Sequence, residues 1–450
     1  MATFELSENV ATDKIFLVQR SELEGRIEPG YYKPDIATIE QAVRNKSSKR
    51  LKDFIVKIAS GATPAVEEEE KYYSDKENGV PFLRVQNLQT NGKLNIDDVK
   101  YINKETHNSY LKRSQVAEGD LLVKITGVGR MAIASVATPE FDGNTNQHMV
   151  VIKTGSRVIS EYLANYLNLN IVEKLASRRS TGGTRPALDY PALKSIPIVE
   201  NLDFTILNKA EAKKQQKEIE AKALLDSIND YLLAELGITL HQRDGNLQNR
   251  IFTACFSDVM GIRLDVFGVG NSEYKIEGGI YPNKKLKLIA NLAKGQSITS
   301  DKVIEGKYPV IAGGQSSPYN HNVYNNLGNI ITISASGAYS GFVWYHSTPI
   351  FASDCTVISS KKEEEVSTIY IAEVLKVKQK EIYALQQGSG QPHVYASDLR
   401  ELNIPVPGMK KQVEVLKHIK KIRDKAKQLQ TEAQNIIEEA RQAIEKMILN

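Results

Sequence analysis

The chain has 450 residues, of which 41% are hydrophobic; that is enough for two or three cored domains and excludes a disordered protein. A formal net charge of +4 admits nucleic acid as a partner without demanding it, because basic residues can gather on one face while acidic ones cover the rest. Two cysteines, Cys255 and Cys355, and seven scattered histidines offer neither a disulfide framework nor metal-ligand spacing, which points to a reducing compartment.

Residues 1–44 form an N-terminal segment whose opening, MATFELSENVATDK, lacks a basic stretch followed by an apolar one. No apolar run reaches the roughly 18–20 residues of a membrane span, so the expectation is a cytoplasmic protein with no membrane partner. Residues 45–205 read as mixed β with short helices: strands at Leu121 to Val123 and Met149 to Ile152, and helical periodicity from Glu161 to Lys174. This region closes on Ile196-Pro197-Ile198, an edge-strand pattern because proline cannot donate to a central ladder. Residues 206–240 are predicted helical, with a seam of Ala210, Ala221, Leu224, Ile228 and Leu232, interruptions at Lys214 and Lys217, and a stop at Gly237. A connecting segment, 241–279, leads to a second mixed-β region, 280–407. Its predicted strands are Ile330 to Ile333 and Thr356 to Ile358, its helix Ile369 to Tyr383, and its closing edge strand Ile404-Pro405-Val406. Residues 408–450 contain no Pro or Gly after Lys410. They carry a seam of Ile419, Ile422, Ala426, Leu429, Ala433, Ile436, Ala440, Ala443 and Met447. Such a helix would be roughly 55–60 Å long. Each helical seam needs a cover: either the two helices pair, antiparallel if the halves are related by a pseudo-twofold, or each packs on its own domain.

The halves repeat each other. TGGTRPALDYPALKSIPI (181–198) returns as GSGQPHVYASDLRELNIPV (388–406), and GDLLVKITGVGRMAIASV (119–136) as GNIITISASGAYSGFVWY (328–345). Within the closing block Pro186 matches Pro392, Leu188 matches Val394, Leu193 matches Leu399 and Lys194 matches Arg400. A two-residue insertion then brings Ile196-Pro197-Ile198 onto Ile404-Pro405-Val406. Upstream, Arg26-Ile27-Glu28 and KRLKDFIVKIASG (49–61) are echoed by Arg263-Leu264-Asp265 and KKLKLIANLAKG (284–295), and Val80 to Leu83 by Tyr308 to Ile311. Two similar modules with long helices between and after them suit paired recognition better than catalysis. The enzymatic signatures sought are missing. There is no G-x-x-x-x-G-K-[ST], Gly127-Val128-Gly129 and Gly268-Val269-Gly270 lack a third glycine, Asp189-Tyr190-Pro191 has the wrong order for an adenine methyltransferase motif, and in Gly337 to Gly341 the serine is one place late for a nucleophile elbow.

These blocks, above all GDLLVKITG (119–127), Gly182 to Leu188, and Leu193 to Ile198 with its counterpart Leu399 to Pro405, resemble the specificity subunit of type I restriction-modification systems; so does SINDYLLAELGI (227–238). The resemblance spans essentially the whole chain. It implies an α+β fold of two pseudo-repeated mixed-β target recognition domains, joined by long antiparallel coiled-coil helices. It also implies a non-catalytic subunit in which each domain reads one half of a split target in double-stranded DNA. The helices would space the half-sites and dock two methyltransferase (modification) subunits that methylate adenine at N6, and motor-nuclease (restriction) subunits would cleave unmodified DNA. S-adenosylmethionine, ATP and Mg would belong to those partners, with no cofactor in this chain. Two alternatives stay open: a partner that fuses methyltransferase and nuclease without a separate motor, and, in another class, a structural coiled-coil protein. A hydrolase with duplicated β domains is disfavoured because no nucleophile, base and orienting group recur at matched positions.

Arg or Lys pairs with guanine and Asn or Gln with adenine through two hydrogen bonds, so polar residues on the loops between strands are the candidate base readers. In the first half these are Arg84, Gln86, Asn87, Lys124, Arg130, Asn146, Gln147 and Arg185, with Asn144 and His148 beside them. In the second half they are Gln315, Ser316, Ser336, Tyr339, Gln391 and His393, with Tyr319, Asn320, Ser334 and Ser389 nearby. Each has a plain structural alternative. Arg84 sits in an apolar stretch, Gly143-Asn144 is turn chemistry, and Arg185 and Gln391 both precede matched prolines, as a scaffold residue would. The second half lacks the Thr-Arg pair before its proline, which weakens a shared role for Arg185. Trp344 reads as core, the acidic run from Glu67 to Glu70 as a solvated loop, and Lys213, Lys214 and Lys217 as a solvated helix face.

Overall fold

The computed structural model describes residues 6, 10–11, 14–23, 27–65, 69–238, 276, 278–388 and 390–450. Arg26, Glu67, Cys255, Arg263 to Asp265, Gly268 to Gly270 and Ser389 lie outside these residues. The chain divides into two compact units: Met1–Lys217 with Thr431–Asn450, and Glu218–Gln430.

The first unit carries β1 (Lys57–Ser60), β2 (Tyr73–Ser74), β3 (Val80–Leu83), β4 (Lys100–Ile102), β5 (Gln115–Ala117), β6 (Leu121–Lys124), β7 (Ala134–Val136), β8 (Asp142–Thr145) and β9 (Met149–Lys153). The main sheet is ordered β1-β9-β6-β7, with every pair antiparallel. A second sheet, β2-β4-β3-β8-β5, includes one parallel pair, β3 with β8. The unbroken apolar runs of β6 and β9 follow from burial on both faces. Leu121, Val123, Val150 and Ile152 point into a core shared with helices, whereas Leu122, Met149 and Val151 pack with Leu83 and Val116 of the second sheet.

The second unit repeats this plan with β10 (Asn283–Lys285), β11 (Ala290–Lys294), β12 (Glu305–Ile311), β13 (Asn320–His321), β14 (Ile330–Ser334), β15 (Val343–His346), β16 (Phe351–Ala352), β17 (Cys355–Ser360) and β18 (Asn403–Pro405). Its main sheet, β11-β17-β14-β15, has the order and antiparallel sense of the first. Leu121 pairs with Ile152 in one unit and Ile331 with Ile358 in the other. The echo between Val80–Leu83 and Tyr308–Ile311 is structural as well, since β12 pairs parallel with β16 as β3 does with β8. The Ile-Pro-Val run forms a short edge pair with β10, and Ile-Pro-Ile makes only a bridge, Pro197 with Arg50. In each unit a buried tyrosine hydroxyl secures the closing proline's carbonyl: Tyr166 to Pro197 at 3.1 Å and Tyr370 to Pro405 at 2.8 Å.

Two predicted helices are each split in two. Glu161 to Lys174 falls across Arg157–Leu167 and Asn170–Arg179, because the Asn168 amide leaves the helix to bond the Ala134 N–H (3.1 Å) and carbonyl (2.7 Å) on β7. Ile369 to Tyr383 falls across Thr368–Val377 and Gln379–Tyr383, and Gln379 likewise takes the Val343 N–H of β15 at 3.0 Å and donates to the Gly341 carbonyl at 2.8 Å. A side-chain amide gripping the adjacent strand ends the helix at matching places, and apolar periodicity does not register it.

The central helix runs Thr205–Leu236 and the C-terminal helix Met409–Leu449. Gly237 stops the first with φ +67°, its N–H bonding Ala234 while that of Ile238 reaches back to Leu233. The two alternatives for covering the seams both hold. In the second unit the helices lie antiparallel, with Glu235 near Lys411 (2.5 Å), Tyr231 stacked on His418, and Ala221 against Ala426 and Leu429. There Ile228, Leu232, Val415 and Ile419 also join the unit's own core. In the first unit Leu207 and Ala210 meet Ile437, Ala440 and Ile444 within the core, and the interrupting Lys217 is paired with Glu432 at 2.5 Å. The C-terminal seam departs from the expected register: Ile437, Ile444 and Ile448 are buried, while Met447 is 55% exposed. A straight helix drifts by roughly 20° per heptad, and its last turns here pack on a globular core rather than on a supercoiled partner.

Buried charge ties the helical layer to each unit. Glu40 accepts from Arg44, Arg178 and Arg179 at 2.6, 2.6 and 2.7 Å. Glu373 is held by both terminal nitrogens of Arg423 at 2.9 and 2.6 Å. Burial would raise both carboxyl pKa values, but the surrounding cations win and hold each below its ordinary value. Cys355 sits in the second core with its thiol pushed up to about 12 by burial, then by the Asp354 charge, which makes it an unreactive packing residue. Trp344 packs against that same core.

Candidate nucleic-acid interface

In each unit the closing block is stitched onto the end of the central strand by the same backbone bonds. In the first, Gly127 N–H bonds Pro186 O at 3.0 Å, Leu188 N–H bonds Ile125 O at 2.8 Å, and Thr181 and Ala187 exchange both bonds at 2.9 and 2.8 Å. In the second, Gly337 N–H bonds Pro392 O at 3.0 Å, Val394 N–H bonds Ala335 O at 3.0 Å, and Gln387 and His393 exchange theirs at 2.9 and 2.8 Å. The turn enclosed by this bridge needs a positive φ, met by Gly182 at +93° and Gly388 at +98°. A third loop joins from the strand beside it: Ile125 N–H bonds His148 O at 2.9 Å and Ala335 N–H bonds Asp354 O at 3.2 Å. A rigid sheet end thus gathers three loops whose backbone is fixed and whose side chains differ, as a recognition surface requires.

The candidate residues divide by where their polar atoms point. Arg185 and Gln391 are exposed at the tips of the equivalent turns, and Gln147 is exposed beside the first, bonded to the Thr63 hydroxyl. Gln315, Ser316 and Tyr339 are exposed on loops beside Ser336. Ser336 and His393 are half-buried and bridged to each other through the backbone; the Ser336 hydroxyl donates to the Asp354 carboxylate, and the His393 ring stacks 6.1 Å from Tyr395.

Other candidates are turned inward. Asn87, only 1% exposed, accepts from Arg84 N–H at 2.7 Å and donates to the carbonyls of Asn95 and Asp98, so it holds its own turn. Lys124 is buried, donates to Val128 O at 2.8 Å, and has its pKa lowered by burial. Arg130 turns away from the loops to bind the Asn168 and Leu169 carbonyls at 2.5 and 2.8 Å and Asn170 Oδ1 at 2.8 Å, capping the broken helix. Asn146 is buried, its side chain accepting from His148 N–H at 3.1 Å. Each belongs to the frame behind the loops rather than to their outer face. Arg84 and Gln86 lie between these classes, since both reach the exposed Asp98 carboxylate, at 3.2 and 2.6 Å. Asp98, Thr63 and Asp354 were missed by reasoning from sequence. Asp354 alone left a signal there: it stands 206 positions after His148, the offset that separates Pro186 from Pro392. His148 itself has its pKa lowered, by burial and then by the Arg185 charge.

The two units share one backbone frame at the sheet end and differ in the side chains it carries, so the fold is that of a duplicated, two-module protein. The model of the type I restriction modification DNA specificity domain matches residues 44–199 and 281–439, and the chain belongs to that family. Membership places it among the non-catalytic specificity subunits of such systems. No curated protein matches the chain in sequence. Among solved structures it is similar to a type I restriction-modification S subunit from M. genitalium: 15% identity, 89% of this chain and 94% of that one, TM-score 0.39. It is similar also to the HsdS subunit of Thermoanaerobacter tengcongensis (13%, 89% and 95%, TM-score 0.30). A third similar chain belongs to a study of complex assembly and conformational transition in the type I R-M system (13%, 89% and 96%, TM-score 0.43).

Proposed function

We propose that the chain reads a bipartite sequence in double-stranded DNA, one half with the loops around Arg185 and the other with those around Gln391, and so directs adenine-N6 methylation and restriction by partner subunits. The observation that carries this reading is the identical backbone stitching of the two closing blocks beneath different side chains. Such a frame holds loops at fixed depth while Arg185, Gln147, Gln391 and Tyr339 alter the base edges they suit. The antiparallel central and C-terminal helices serve as the spacer that sets the gap and rotational phase between half-sites, B-DNA turning once per ~10–10.5 bp. Two methyltransferase subunits would dock on the helices and supply S-adenosylmethionine, and motor-nuclease subunits would supply ATP and Mg chemistry, in the cytoplasm. No helix among the described residues is long and apolar enough to cross a membrane.

The test is the methylation pattern of host DNA with and without the gene, read by single-molecule sequencing. A split adenine-methylated motif that disappears on deletion and returns on complementation supports the reading. A pattern unchanged by deletion in a host whose methyltransferase partner is expressed refutes it.

A further inference from the structure

The two recognition surfaces carry opposite chemistry at one matched position. Lys124 pairs with Met149 in the first unit and Ser334 with Cys355 in the second, so His148 and Asp354, each one residue earlier, are equivalent. The backbone bonds from Ile125 to His148 and from Ala335 to Asp354 confirm the register. In the first unit this position is a half-buried histidine whose pKa is lowered by burial and then by the Arg185 charge. In the second it is a half-buried carboxylate beside Ser336 and the turn that presents Gln391.

A carboxylate on a surface that meets a polyanion is costly unless it gains something from the bases. Among the described residues no cation forms an ion pair with Asp354, and the only side-chain bond it receives is from the Ser336 hydroxyl. That bond uses the hydroxyl proton and leaves the serine oxygen, like the carboxylate, as an acceptor. The pair is therefore a purely accepting group at the end of β14. Of the four bases, cytosine alone offers the major groove a donor with no accompanying acceptor, its N4 amino group. Guanine and thymine would set oxygen against carboxylate, and adenine's N7 would be left unmatched.

Resting on the reading of the chain as a bipartite DNA reader, we infer that Asp354, positioned by Ser336, is a specificity-determining residue of the second unit and accepts a hydrogen bond from the N4 amino group of a cytosine in its half-site. Ser336 is the positioning residue: its hydroxyl holds the Asp354 Oδ2 that lies beside Gly313, which fixes the direction of the other carboxylate oxygen.

The experiment compares the host methylation motif in cells carrying the wild-type chain, Asp354→Asn and Ser336→Ala, each in the deletion background. Asparagine keeps an oxygen for the Ser336 proton but replaces the other acceptor with a donor. The expected outcome is that one cytosine position in one half of the motif loses its preference by roughly tenfold or more, every other position being unchanged. Ser336→Ala should weaken the preference at the same position by a smaller factor. Asp354→Ala, read in the same way, serves if the asparagine variant does not accumulate. An unchanged motif, an equal change at all targets, or a lost base other than cytosine would overturn the inference while leaving the bipartite reading intact. Absence of any split motif in the wild type would instead sink the bipartite reading itself.

Discussion

Gly182→Ala and Gly388→Ala break the same turn in the two units and should separate the two half-sites. At Gly182 the backbone has φ +93° and a Cβ would lie 3.0 Å from the Arg185 carbonyl oxygen; at Gly388, φ is +98° and the Cβ would meet Gln391 O at 2.9 Å. A non-glycine residue held in such a conformation costs of the order of 1–3 kcal/mol. Against a total stability of about 5–15 kcal/mol this does not unfold the chain. The turn is exposed at its tip, so the strain is relieved by moving the segment that presents Arg185 or Gln391. If the reading geometry is depopulated by that energy, affinity for the affected half-site drops by roughly 5- to 150-fold. The assay is competition binding by the complex purified from its host, using the intact target and targets with either half scrambled. Gly182→Ala should become insensitive to scrambling one half and Gly388→Ala to scrambling the other, with melting temperatures falling by only about 2–4 °C per kcal/mol of strain. Loss of the same half by both variants, or full discrimination retained by either one, would refute the assignment of one half-site to each closing turn.

Three further outcomes are expected. Glu40→Gln leaves Arg178 and Arg179, 8% and 5% exposed at the side chain, without their counter-charge, and should cost about 3–5 kcal/mol in calorimetry at neutral pH. Because the folded Glu40 pKa is depressed, its contribution is fully present above the ordinary value of 4.5 and is lost as pH falls through the folded value; the gap between wild type and variant should close on acidification, and a gap that widens would contradict the sign. Arg185→Ala should relax one base position by roughly 1–3 kcal/mol if the guanidinium reads a base, or weaken all sequences alike and lower the salt slope by about one if it binds phosphate; binding isotherms at several salt concentrations against intact and altered targets tell these apart, and an unaltered isotherm removes Arg185 from the interface. Inserting about one helical turn, ~5.4 Å, between Lys217 and Glu218 and again between Gln430 and Thr431 should lengthen the preferred gap in the methylated motif by roughly one to two base pairs, whereas an unchanged gap would deny the helices their spacer role.

The duplication, the four apolar strands and the two long helices were legible in the sequence because each depends on local pattern. A run such as Leu121-Leu122-Val123 is apolar throughout only when both faces of a strand are covered, and Gly237 stops a helix through its own backbone freedom. The closing blocks were readable for a related reason. Their prolines and glycines answer to backbone constraints, and those constraints recur wherever the turn recurs.

What the sequence by itself determined is therefore the repeated framework and its family. The tertiary structure alone decided which polar residues belong to the frame and which to the outer surface. Asn87, Lys124, Arg130 and Asn146 look in sequence like Gln147, Arg185 and Gln391, yet the first four spend their polar atoms on internal partners. The broken helices at Asn168 and Gln379 and the drift of the last seam from Met447 to Ile448 were hidden for the same reason. Each turns on a partner distant in the chain, and a side chain's direction is set by the strand, carbonyl or core it meets there. A pattern of neighbouring residues carries no record of that meeting.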